Sequence, residues 1–195
     1  LLARAPGELG THLALTGGTM TGADAIALDL ADWYVPSVAL PALLDDLERM
    51  PAADAIARHA SAVPASDLLT QRAWVDEAYA GDESVVIVER LESSPLAEAR
   101  AAASVIRGKS PTSVAVALEA LRRAAGLATL EQVLDQEYRV GLRMLAGADM
   151  REGIRAQVID KDRTPHWRPP TLEQVDRADV LSYFEPLGER ELGLA

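Results

Sequence analysis

Apolar residues in this chain recur at helical spacing, with unusually complete start and stop signals, and this limits the possible folds more than any other feature. Leu40, Leu43, Leu44 and Leu47 follow the i, i+3, i+4, i+7 rule after Pro36-Ser37, and Pro51 closes the run. Leu130, Val133, Leu134, Tyr138, Leu142 and Leu145 form a longer stripe. Thr129 stands three residues before Gln132 at its start, a pair in which each side chain satisfies a free backbone N–H, and Gly147 predicts a left-handed stop. Both stripes are expected to face a core. Asp149 with Glu152 predicts another cap before Met150, Ile154 and Val158, and Thr171 with Gln174 repeats the device after Pro169-Pro170. Ser94-Pro95 and Ser110-Pro111 each put a hydroxyl at a cap and a proline at the first helical position, where a missing N–H costs nothing, predicting helices over 95–107 and 111–124. Upstream, residues 6–15 read as a helix stopped by Thr16-Gly17-Gly18, Thr21 with Asp24 caps a short helix to Leu30, and another helix follows Asp67.

Strand signals are thin. Trp33-Tyr34-Val35 is too short to stand alone. Val85-Val86-Ile87-Val88 is strand-like by its β-branched content, but a helix capped by Asp82 would put Val85, Val88 and Leu91 on one face, and the helical surroundings favour that reading. The chain therefore reads as mostly α.

The absence of cysteine excludes disulfides, thiolate metal sites and thiol nucleophiles. Nineteen basic residues against 30 acidic ones give a net charge of −11, which argues against a nucleic-acid partner because phosphate-backbone binding needs the opposite balance. No stretch approaches the roughly 18 uninterrupted apolar residues of a membrane span. The opening Leu1-Leu2-Ala3-Arg4 has no initiator Met and no secretory leader pattern, and reads as the middle of a longer, cytoplasmic chain.

Few residues suggest chemistry. Gly108-Lys109-Ser110 resembles the end of a phosphate-binding loop, but the glycine required five places earlier is Ala103, so the tripeptide reads as a helix end followed by a cap. His12, His59 and His166 have no second ligand at i+3 or i+4, and the first two read as ordinary helix residues. Asp24, Asp29 and Asp32 read as caps or a solvated face, and Arg122-Arg123 as cations near a helix C-terminus. The segment from Asp160 to Pro169 is less ordinary. Its alternating charges and its Trp167 between prolines could position an anionic ligand, or could lock a surface loop through ion pairs with Trp167 as anchor. No paired acid and base, activated nucleophile or metal constellation stands out.

Ser110-Pro111-Thr112-Ser113, Glu137-Tyr138-Arg139, Glu152-Gly153-Ile154-Arg155-Ala156, and Ile159-Asp160-Lys161-Asp162 with Pro165 and Trp167 resemble the C-terminal part of the 3-hydroxyisobutyryl-CoA hydrolase branch of the enoyl-CoA hydratase/isomerase (crotonase) superfamily. Leu13 to Gly17 and Thr21 to Ala25 resemble the segment that follows that family's catalytic core. The resemblance implies a fold class that is mostly α here, as the C-terminal helical part of an α/β ββα-spiral fold, with 1–50 as the end of the core and connecting helices and 51–195 as the helical region. It implies thioester hydrolysis of 3-hydroxyisobutyryl-CoA in valine breakdown, with no cofactor beyond the coenzyme A of the substrate. It further implies association as a homo-oligomer or packing on an N-terminal core.

By the same resemblance, the oxyanion-hole glycines and the catalytic glutamate and aspartate precede residue 6, so no catalytic residue is assigned and the chain alone is expected to be inactive. Lys161 and Arg163, the cations of the loop that the helical pattern leaves free, are the expected substrate contacts. The alternatives are an enoyl-CoA hydratase or isomerase of the same fold, and a non-catalytic helical module presenting one of the two stripes to a partner.

Overall fold

A computed structural model describes residues 1–194. Among them are twelve α-helices and no strand: α1 Leu9–Thr16, α2 Gly22–Ala27, α3 Leu40–Leu47, α4 Ala52–His59, α5 Asp67–Thr70, α6 Arg72–Ala78, α7 Ser84–Glu92, α8 Ala97–Arg107, α9 Pro111–Gly126, α10 Leu130–Ala146, α11 Ala148–Ile154 and α12 Arg177–Ser182. The Val85–Val88 run is helical, as its surroundings predict. No described helix is long and apolar enough to cross a membrane.

Several caps form as the sequence reads. The hydroxyls of Thr21 and Thr129 accept the third helical N–H of α2 and α10 while Asp24 and Gln132 reach back, and Ser110 Oγ accepts from Ser113 N at the start of α9. Gly17, at φ 62°, supplies the left-handed residue that ends α1. Others differ. Gly147 is extended (φ −69°, ψ 158°) because α11 begins one residue later and the backbone must turn outward. Asp149 therefore lies inside α11 and caps nothing. Ser94 binds Leu96 N ahead of α8, so Pro95 falls outside the helix. Asp82 pairs with Arg122, leaving Glu83 at the start of α7 without a side-chain cap. Thr171 opens only a short 3-10 turn, and Asp176 caps the helix that follows.

The main core is a seam where α1 meets α6, α8 and α9, with α7 closing it from the far side. Leu9, Leu13, Ile87, Leu91, Ile106 and Leu118 sit there almost wholly removed from water, each contributing about 1.5–3 kcal/mol. Residues of 1–50 and of 51–195 share this core. Gly10 allows the close approach it requires, because a Cβ there would lie 2.0 Å from the Leu2 carbonyl oxygen. A second, smaller cluster joins Val116 of α9 to Val180 and Phe184, with the Arg123 guanidinium 4.4 Å from the Phe184 ring centre.

Polar groups secure the seam. His12 is more than an ordinary helix residue: its Nδ1 lies 2.9 Å from the Tyr79 hydroxyl and its ring meets Trp74 and Tyr79 edge-on. Burial holds its pKa below the ordinary value. Asp24 is also buried. Burial opposes its charge, but hydrogen bonds from Ser66, Thr21 and Leu68 outweigh that and hold its pKa at about 2, joining α2 to α5.

Arg122 does not serve as a cation on its helix end. It reaches across to donate to the carbonyls of Tyr79 (3.1 Å) and Gly81 (2.8 Å) and to Glu8 (2.9 Å), while Arg90 donates to the carbonyls of Glu77, Ala78 and Ala80. Two guanidiniums thus satisfy the carbonyls where α6 ends. Both leucine stripes depart from expectation. Leu44 is 63% exposed and Leu145 61%, because α3 packs chiefly on α4 and the preceding turn while much of the α10 stripe opens to solvent. Arg122→Ala should lower the unfolding free energy by about 2–4 kcal/mol in denaturant titration, since charged hydrogen bonds to half-buried acceptors are lost. Arg72→Ala, which removes an exposed i,i+4 pair with Asp76, should cost no more than about 0.5 kcal/mol.

Candidate functional site

The segment that sequence singled out is built on a corner between α8 and α9. Gly108 ends α8 and Ser110 caps α9, so the tripeptide resembling a phosphate loop is a helix junction. It is also a docking point. Ser110 Oγ donates to Asp149 Oδ2 at 2.6 Å, Trp167 Nε1 donates to the Gly108 carbonyl at 3.1 Å, and Asp149 Oδ1 accepts from Arg168 N at 2.9 Å. The indole edge also rests on Gly153, where an added Cβ would lie 3.4 Å from it. Trp167 is therefore an anchor, one of the two roles left open for it.

After Ile154 the helix widens into a π-helical turn over Arg155–Ile159, which brings Arg155 round to face the loop. Arg155 donates to both Glu152 oxygens (3.0 and 2.8 Å), to Asp160 and Asp162 (2.6 Å each) and to the Thr164 carbonyl (3.1 Å). Glu152 in turn accepts from His166 N at 2.8 Å. The Arg155 guanidinium, followed by that backbone N–H, holds the Glu152 pKa at about 2. Asp162, bonded to Arg155 and to Thr164 N, is likewise lowered.

Lys161 and Arg163 are both exposed and sit at φ 57° and 56°, the left-handed region that non-glycine residues seldom occupy. Neither forms an ion pair among the described residues. The structure thus brings the two expected contacts onto one loop, facing water.

An open concavity of about 720 Å³, lined by neither of these two, has Asp149, Arg151, Glu152, Arg155, His166 and Arg168 on its wall. Arg151 and Arg168 were not singled out by sequence. The four-residue spacing of Arg151 and Arg155, which places both on one helix face, was the available signal.

A second, apolar hollow of about 580 Å³ lies between α9 and α10, with Leu1, Val116, Ala120, Val133, Val140 and Met144 on its walls. Its lining offers volume and little directional chemistry. No group of three or more His, Asp or Glu side chains suited to a metal ion occurs among the described residues.

Because Glu152 is depressed from 4.5 to about 2, its contribution to the fold is complete above about pH 4.5 and is lost as pH falls toward 2. Trp167 fluorescence should therefore stay native-like at pH 5 and shift toward that of free indole as pH falls through this window, with Glu152→Gln showing the shift already at neutral pH.

Residues 1–184 match the family model described as enoyl-CoA hydratase/isomerase. The rat mitochondrial 3-hydroxyisobutyryl-CoA hydrolase is 33% identical over 98% of this chain and 52% of its own length, and the human one 32% identical over the same shares. An Arabidopsis thaliana small ribosomal subunit protein, mS47, is 32% identical over 96% of the chain and 49% of its own. A carnitinyl-CoA dehydratase from Mycobacterium thermoresistibile superposes with TM-score 0.93 at 44% identity, covering 99% of this chain and 55% of that one. An enoyl-CoA hydratase from Rhodobacter sphaeroides gives 0.88 at 39%, covering 98% and 55%. The chain spans about half the length of the relatives it matches.

Proposed function

Since the chain belongs to the enoyl-CoA hydratase/isomerase family, we propose that it is the C-terminal, coenzyme-A-facing part of a thioester hydrolase acting on 3-hydroxyisobutyryl-CoA. The observation that carries this reading is the loop from Asp160 to Arg168, tied to Arg155 through Asp160 and Asp162, with Lys161 and Arg163 exposed to solvent. Lys161 and Arg163 would meet the phosphates of coenzyme A, and Arg151 and Arg168, on the wall of the open concavity, would add to the positive charge. Cations so placed bind substrate and transition state equally, which lowers KM and leaves the chemical step alone.

The chemical step is assigned to groups outside these residues. In this reading, hydrogen-bond donors aimed at the thioester oxygen stabilise the charge that develops there, and an acid–base carboxylate delivers water. This chain contributes binding and support, and by itself would be inactive. Coenzyme A enters as part of the substrate, and no separate cofactor is invoked. The remaining apolar surface, α3 and the outer edge of α10, suits packing on the rest of the polypeptide or on another subunit.

A second reading, a hydratase or dehydratase of the same fold, draws support from the higher identity to the carnitinyl-CoA dehydratase than to the named hydrolases. The two separate by assay of the polypeptide carrying this chain: release of free thiol from 3-hydroxyisobutyryl-CoA against hydration of crotonyl-CoA. Lys161→Ala should raise KM for the CoA ester about threefold to tenfold with kcat nearly unchanged, as loss of uniform binding does. Unchanged kinetics would make the loop a purely structural element.

A further inference from the structure

Sequence places Asp160 and Asp162 beside Lys161 and Arg163, an order that invites local ion pairs. The folded chain pairs them otherwise. Arg155, from the preceding π-helical turn, binds Asp160, Asp162 and Glu152 through one guanidinium, while Lys161, Arg163, Arg151 and Arg168 enter no ion pair among the described residues. The loop is thus sorted by sign. Its carboxylates are gathered on Arg155, and its cations Lys161 and Arg163, both at positive φ, are exposed and unpaired. Such conformations cost a non-glycine residue conformational energy and persist where the surroundings impose them. In a chain of net charge −11, this is a place where exposed cations stand unpaired while the neighbouring acids, themselves partly exposed, are paired with an arginine.

We propose that Arg155 is a positioning residue for substrate: by pairing with Glu152, Asp160 and Asp162 it offsets part of the carboxylate charge that would repel a phosphate-bearing ligand from Lys161 and Arg163. The inference rests on the reading that this loop meets coenzyme A, and adds the group that makes the loop fit for an anion. A single Arg can do this because its planar fork serves several acceptors at once, which a lysine ammonium does less well.

Calorimetric titration of the purified protein with coenzyme A at low ionic strength tests it, with a thermal melt as the check on folding. Arg155→Ala should weaken binding about tenfold, a change of roughly 1.4 kcal/mol. Adding Asp160→Asn to that variant should recover a large part of the loss, because among the described residues the Asp160 carboxylate bonds only to Arg155 and without it acts only as a repelling charge. Arg155→Lys should fall between wild type and Arg155→Ala. A double variant that binds no better than Arg155→Ala overturns the proposal and leaves Arg155 a loop fastener.

Should Arg155→Ala fail to fold, Asp160→Asn alone decides. Masking by Arg155 predicts an affinity within about twofold of wild type, whereas a gain near tenfold would mean the carboxylate was never masked. Lys161→Ala/Arg163→Ala separates the two levels of the argument. Weakened binding there with no recovery in the Arg155 series overturns the role of Arg155 only, whereas unchanged binding overturns the reading on which it rests.

Discussion

Leu9 and Leu13 from α1 enter a space bounded by Ile87, Leu91, Ile106 and Leu118, and the removal of these side chains from water is the interaction on which the other features depend. It fixes α8 and α9 on α1 and α7, and so sets the Gly108–Ser110 corner between them. That corner supplies the carbonyl that Trp167 binds and the hydroxyl that Asp149 binds. A loop at the surface is thereby positioned by a core more than one element away. The polar contacts of the seam, His12 with Tyr79 and Arg122 with the carbonyls after α6, give register to packing that dispersion and hydrophobicity alone would leave less determined.

Electrostatics divides the molecule in two ways. The chain as a whole carries a net charge of −11, which disfavours polyanions. The exception is made by arrangement, since the 149–168 segment holds acids and bases in similar number. Arg155 turns that near-balance into an asymmetric surface. Three acids share one guanidinium, Asp160 and Asp162 while still partly exposed, and the exposed bases Lys161 and Arg163 pair with none of them.

Much of this was legible in the sequence for identifiable reasons. Caps are local, so Thr21, Ser110 and Thr129 announce helix starts that form where they stand. The failures are equally physical. Asp149, Ser94 and Asp82 carry the right side chains for caps, but a partner distant in sequence or a shifted helix start claims them first. The α3 and α10 stripes have the periodicity of buried faces, yet periodicity reports that a face is apolar and not what covers it. Lys161 and Arg163 could be named as free cations because no helical pattern absorbs their segment. The part of Arg155 could not, since Asp160 and Asp162 meet it only after a π-helical turn that no propensity marks.

The central claim is that the ligand-facing surface of this chain is the sorted loop rather than the apolar hollow between α9 and α10. Amide hydrogen exchange with and without coenzyme A measures this directly, because both regions report in one experiment. The account predicts slowed exchange across residues 155–168, with little change over 116–144. Protection confined to α9 and α10, with the loop exchanging as in the free protein, would contradict it.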